Sequence, residues 1–330
     1  MTSPAVINYR NAFKYGVRDN VDQLQLLLDR GADIDVRNNE RNTLLIEAVW
    51  SRNTKTVRML LDRGANLNIA GNYHRTPIWL ASKNGHLPIA HMLLNHGADP
   101  NIRDSSGTTP VFKVILSGNT EMMGLLLDHG ADVSISDHRG RTPLWEAALS
   151  GWDSTVHLLL DRGANVNIQD DNGTSPLSNA VSWGRESTVR LLLDRGAEVN
   201  IRDHRGRTPL WIAARFVSPD ITRTLLERGA DPSIPDNDGM PPIAIAAWHD
   251  RIDVVRLLAP EFRTQRQLAF AMGLHRRLGS ASQVSRLNDD AVEQILKHGG
   301  LQHTDGDVEQ LAEALRDFLI ANVDINLFFR

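Results

Sequence analysis

The dipeptide Gly-Ala recurs at Gly31, Gly64, Gly97, Gly130, Gly163, Gly196 and Gly229, each 33 residues after the last, with no insertion or deletion. A second marker keeps the same step: Thr76-Pro77, Thr109-Pro110, Thr142-Pro143, Ser175-Pro176, Thr208-Pro209 and Pro241-Pro242. Two markers locked to one period of this size mean supersecondary units stacked in a row. That constraint outranks length. A chain of 330 residues would otherwise suggest two ordinary domains of ~150 residues.

Residues 137–169 show how one unit is built. Thr142 is an N-cap, and Pro143 suits the first helical position, where its missing N–H has no partner to lose. Leu144, Ala147 and Ala148 give a short first helix with small residues on its packing side, and Gly151 breaks it. The spacing predicts a second helix over Asp153–Asp161, with Val156, Leu158, Leu159 and Leu160 on its apolar side and Gly163 as a left-handed C-terminal cap. Asp137-His138-Arg139-Gly140 reads as the tip of a hairpin. No unit of this kind buries both helices alone, so Ala-rich first helices and Leu-rich second helices must stack on their neighbours.

These residues resemble the ankyrin repeat, whose Thr-Pro-Leu opens the first helix and whose Gly-Ala-Asp follows the second. The resemblance implies an all-α fold, an ankyrin-repeat α-solenoid of helix-turn-helix-hairpin units with a C-terminal helical cap. Eight units begin near Ala5, Asn38, Gly71, Asp104, Asp137, Asp170, Asp203 and Asp236, which makes 5–262 the repeat domain and 263–330 a C-terminal helical region. Unit one has no Thr-Pro and offers Arg10, Asn11, Lys14 and Arg18 in its first helix, as a polar end cap should. Unit seven replaces the inter-helix glycine with Phe216-Val217-Ser218-Pro219, where a local distortion is expected.

Composition excludes several functions. There is no cysteine, hence no disulfide framework, thiol nucleophile or thiolate zinc site. A formal net charge of −4 does not read as a general nucleic-acid binder. No run reaches the ~18 apolar residues of a membrane helix, and Met1 to Tyr15 lacks a signal-peptide core, so the expectation is an intracellular protein, cytoplasmic or nuclear.

The resemblance implies that a partner binds the concave surface made by the hairpin tips and the exposed ends of the first helices. Position by position, these places hold Arg75, Lys83, Arg103, Arg139, Arg141, Arg202, Arg205, Arg207 and Arg215, against only Glu40, Asp171 and Asp238. Trp50, Trp183, Phe216 and Trp248 fall at first-helix ends, and Tyr73 at a tip. Trp79, Trp145 and Trp211 stand one turn before a helix end, able either to anchor a partner or simply to pack between first helices. The expected partner is another protein, met through an acidic segment that complements the cations.

Catalytic patterns are missing: no glycine-rich phosphate loop, Gly-x-Ser-x-Gly elbow or His-Glu-x-x-His occurs, and no cofactor is implied. His86, His91 and His96 scatter around one helix rather than converge on a metal. An enzyme or small-molecule site in the groove is the alternative, drawing on His138, Glu146, Asp171, His204 or His249. The C-terminal region offers another. Leu287–Leu296 resembles the opening helix of F-box-type segments and of suppressor-of-cytokine-signalling boxes, which implies a ubiquitin-ligase adaptor recruiting through 285–330. Asn288 stands where an F-box has proline, and the cysteine of the other box is absent.

Overall fold

The computed structural model describes residues 21–216 and 218–258. Unit one's polar first helix and the C-terminal region, with its expected cap and recruiting box, lie outside the described residues. Within them the chain runs α1 (Val21–Asp29), α2 (Leu44–Trp50), α3 (Thr54–Asp62), α4 (Pro77–Lys83), α5 (Leu87–Asn95), α6 (Pro110–Ile115), α7 (Thr120–Asp128), α8 (Pro143–Ser150), α9 (Asp153–Asp161), α10 (Pro176–Ser182), α11 (Glu186–Asp194), α12 (Pro209–Phe216), α13 (Pro219–Glu227), α14 (Pro242–Trp248) and α15 (Ile252–Leu258). An isolated bridge between Arg37 and Thr43 is the one β pairing among the described residues. These helices are the second helix of repeat one and both helices of repeats two to eight.

The local signals act as expected. Thr43, Thr76, Thr142, Ser175 and Thr208 each accept a hydrogen bond from the backbone N–H three residues on, at 3.1–3.3 Å. Gly151 and Gly163 take φ of 76° and 85°, the left-handed conformation that lets each helix of that pair end at little cost. Around the substituted glycine of repeat seven, α12 carries on to Phe216 and α13 starts at Pro219 behind Ser218, whose hydroxyl accepts from the Asp220 N–H.

Two compact units emerge: one reaches Ala147 and includes Trp152–Asn165, the other comprises Ala148–Gly151 and the residues from Val166 on. In the first, α2, α4 and α6 pack side by side, as do α1, α3, α5, α7 and α9; in the second, α10, α12 and α14 form one layer and α11, α13 and α15 the other. One leucine per second helix of repeats two to eight (Leu60, Leu93, Leu126, Leu159, Leu192, Leu225 and Leu258) has no exposed surface, each side chain contributing about 1.5–3 kcal/mol by its burial.

The hairpins rest on a buried carboxylate or, in repeat two, a half-buried amide. Oδ1 of Asp104, Asp137, Asp170, Asp203 and Asp236 accepts from the N–H groups two and four residues on, and Asn38 does the same in repeat two. The fourth hairpin residue is left-handed throughout. It is glycine in repeats four to eight (Gly107, Gly140, Gly173, Gly206 and Gly239), but Arg41 in repeat two and His74 in repeat three, at φ of 66° and 57°. Repeat three departs further. Gly71 replaces the anchoring acid, the Asn72 N–H turns instead to Asn42 Oδ1 of the previous repeat at 3.1 Å, and Tyr73 is left-handed too (φ 54°). Such non-glycine residues cost on the order of 1–3 kcal/mol each.

Candidate functional site

Arg-Thr-Pro-x-Trp occurs at 75–79, 141–145 and 207–211, in alternate repeats. The threonine caps the helix, and this fixes the tryptophan in its first turn with the arginine just before the cap. Trp79, Trp145 and Trp211 are only 1%, 9% and 2% exposed. They pack between first helices rather than reach for a partner, and their ring faces become seats for cations.

In the first unit these seats join into a ladder. The Arg75 guanidinium lies 4.8 Å from the Tyr73 ring and 4.5 Å from Trp79. Lys113 lies 5.9 Å from Trp79 and 6.0 Å from Phe112, while Arg141 is 5.9 Å from Phe112 and 5.5 Å from Trp145. Lys83, one turn along α4, adds a third cation over Trp79 at 5.6 Å. Each such contact contributes about 0.5–1 kcal/mol.

The charges along the ladder are not equivalent. Arg141 is neutralised within its own hairpin: Nε and Nη2 donate to Asp137 Oδ2 at 2.8 and 2.6 Å, and Glu146 stands 3.8 Å away. Burial raises the Glu146 carboxyl above its usual range against the pull of Arg141 and Lys113, whereas the Arg141 and backbone hydrogen bonds hold Asp137 below its own despite burial. Arg75 occupies the same repeat position as Arg141, but four residues before it stands Gly71 in place of an acid. Among the described residues neither Arg75 nor Lys83 nor Lys113 makes an ion pair, and the buried Nε of Arg75 has no hydrogen-bond partner. Arg75 and Lys83 keep their charge available, and Lys113 shares its own only with the more distant Glu146.

The second unit repeats the plan. Arg207 donates from Nε to Asp203 Oδ2 at 2.7 Å and sits 5.6 Å from the Trp211 ring, whose Nε1 donates to the Met240 carbonyl at 3.0 Å. Arg215 lies 5.8 Å from Trp211 and 4.6 Å from Phe216. Burial, then Arg207 and Arg205, lower its affinity for its proton; burial, Arg215 and Arg251 do the same to His249. Arg202 serves the scaffold, donating to the carbonyls of Gly206 and Pro235 at 3.0 and 3.1 Å.

Other sequence expectations separate in the same way. Arg103, Arg139 and Arg205 are exposed at the tips. Trp50, Tyr73, Trp183 and Phe216 are 56–60% exposed, and Trp248 is half-buried. Sequence reasoning missed Lys113 and Phe112, which occupy neither a tip nor a helix end. Their signal was the aromatic Phe112 one repeat after Trp79. Among the described residues no group of His, Asp and Glu is arranged to hold a metal, and no helix is long and apolar enough to cross a membrane.

Stacked helix pairs with an interaction face define the class of α-solenoid repeat proteins. The sequence profile of ankyrin repeats (3 copies) matches residues 12–104, 100–170, 153–236 and 197–267, and the chain belongs to that family. It is similar to the ankyrin repeat domain of Bcl-3, "a unique member of the IkappaB protein family", at 29% identity over 66% of this chain and 97% of that one, with a TM-score of 0.60. It is also similar to an ankyrin repeat domain from Acinetobacter baumannii AYE, at 30% identity over 58% of this chain and 100% of the other, with a TM-score of 0.55. No curated protein matches it. Ankyrin repeats generally mediate protein–protein interaction.

Proposed function

We propose that this protein is an interaction scaffold whose first unit binds an acidic segment of a partner protein along the ladder from Tyr73 to Trp145. The observation that carries the reading is the trio Arg75, Lys83 and Lys113, held over the Trp79 ring and, among the described residues, in no ion pair with a carboxylate, although Glu146 attracts Lys113 from further off. A cation seated on an aromatic face has already lost much of its rotamer freedom, so an arriving carboxylate meets a preorganised charge. Complementary charge speeds encounter and sets orientation, while the aromatic edges and arginine stems contribute contact area. Arg141, already paired, serves to terminate the ladder.

The test is fluorescence anisotropy with a labelled Glu/Asp-rich peptide. Lys83→Glu/Lys113→Glu should weaken binding by about tenfold or more, equivalent to ~1.4 kcal/mol, and wild-type affinity should fall as salt is raised. Equal affinity for the two proteins, with the melting temperature unchanged, sinks the reading.

A further inference from the structure

A cavity of about 580 Å³ opens between the hairpins of repeats two and three, lined among others by Arg37, Arg41, Asn68, Asn72, Tyr73 and His74. Among the described residues its lining holds no acid, and neither Arg37 nor Arg41 makes an ion pair. His74 donates from Nδ1 to the Arg103 carbonyl at 2.7 Å, which fixes the ring and leaves Nε2 for another partner. At the fourth hairpin position of repeats two to eight, Arg41 and His74 are the two left-handed residues that are not glycine. Five repeats relieve that turn with glycine; the two that retain a side chain are the two that line this cavity. A backbone conformation kept strained for the sake of its side chains points to what those side chains bind.

We propose that this cavity is a phosphate-monoester site that receives a phosphorylated residue of the partner segment. Two guanidinium forks facing one space, with side-chain amides beside them, match a group that carries nearly two negative charges and three acceptor oxygens better than they match a single carboxylate. Tyr73 belongs both to the cavity wall and to the first rung of the ladder, so a chain lying on the ladder reaches the cavity without a break. The inference rests on the ladder reading for its carrier, a protein segment, and on the cavity alone for the phosphate.

The experiment uses the full chain and two acidic peptides that differ only by one phosphoserine. The phosphopeptide should bind at least about tenfold more tightly to the wild type. In Arg41→Gly/His74→Gly that advantage should vanish while affinity for the unphosphorylated peptide stays. Both substitutions install the residue that the turn prefers, which offsets the lost His74 hydrogen bond to Arg103, so the melting temperature should change little. Lys83→Glu/Lys113→Glu should instead weaken both peptides and leave their ratio intact, which separates failure of the cavity from failure of the ladder. No phosphoserine advantage in the wild type, or an advantage that survives in the glycine variant, overturns the proposal. So does inorganic phosphate binding as tightly as the phosphopeptide, because the carrier would then not be a peptide.

Discussion

Asp236 carries the sharpest prediction. Its Oδ1 accepts from the N–H groups of Asp238 and Met240 at 3.0 and 2.8 Å, as the equivalent acids do in other repeats. Asp137 and Asp203 also have an arginine four residues on, whereas Asp236 has Met240 there. Burial therefore dominates and, helped by the Asp238 carboxylate, pushes the Asp236 pKa from 3.8 to about 6, in spite of its backbone hydrogen bonds and Arg207. A carboxyl whose folded value lies above its unfolded one favours folding when protonated. Its contribution is complete below pH ~4 and is lost as pH rises through about 6. Two units correspond to about 3 kcal/mol of ionisation penalty at pH 8. Asp236→Asn removes the charge and retains Oδ1, the atom with which Asn38 already holds the hairpin of repeat two. Urea unfolding from pH 4 to 8 should show the variant gaining on the wild type as pH rises, by up to about 3 kcal/mol at pH 8, with little difference near pH 4. A variant less stable at pH 8, or a difference independent of pH, refutes the reasoning.

Other outcomes follow from single contacts. Thr142 Oγ1 caps α8, but Thr109 Oγ1 is buried with no partner among the described residues, so Thr142→Val should cost about 1 kcal/mol and Thr109→Val close to nothing in denaturant titrations. Arg52 donates from Nε to His86 Nε2 at 3.0 Å, and burial first, then Arg52, lower the His86 pKa. Stability tied to this neutral histidine is present above its ordinary value of 6.5 and is lost as pH falls through the lowered one. Arg52→Gly should move the His86 NMR titration midpoint upward; an unmoved midpoint counts against the contact.

Local rules carried most of the fold. Thr142, Pro143, Gly151 and Gly163 set helix bounds that the structure reproduces at Pro143–Ser150 and Asp153–Asp161, because caps and breakers act within one turn. Charge was harder to read, since its availability depends on what lies across the hairpin. Asp137 and Arg141, like Asp203 and Arg207, stand four residues apart in the same octapeptide, and that spacing already held the ion pairs that neutralise half of each hairpin's arginines. By the same rule Gly71 leaves Arg75 unpaired. The Lys113 contact with Trp79 is legible only once α4 and α6 are side by side.

Side-chain NMR during titration with the acidic peptide reads the ladder most directly. Arg75 Nε–H and Trp79 Nε1–H are buried and have no partner among the described residues, so an anion arriving over them should shift both signals together with those of Lys83 and Lys113, saturably. Arg162, paired with Asp128 at 2.8 Å, should stay still. Saturable binding that leaves Arg75 and Trp79 unmoved would contradict the account.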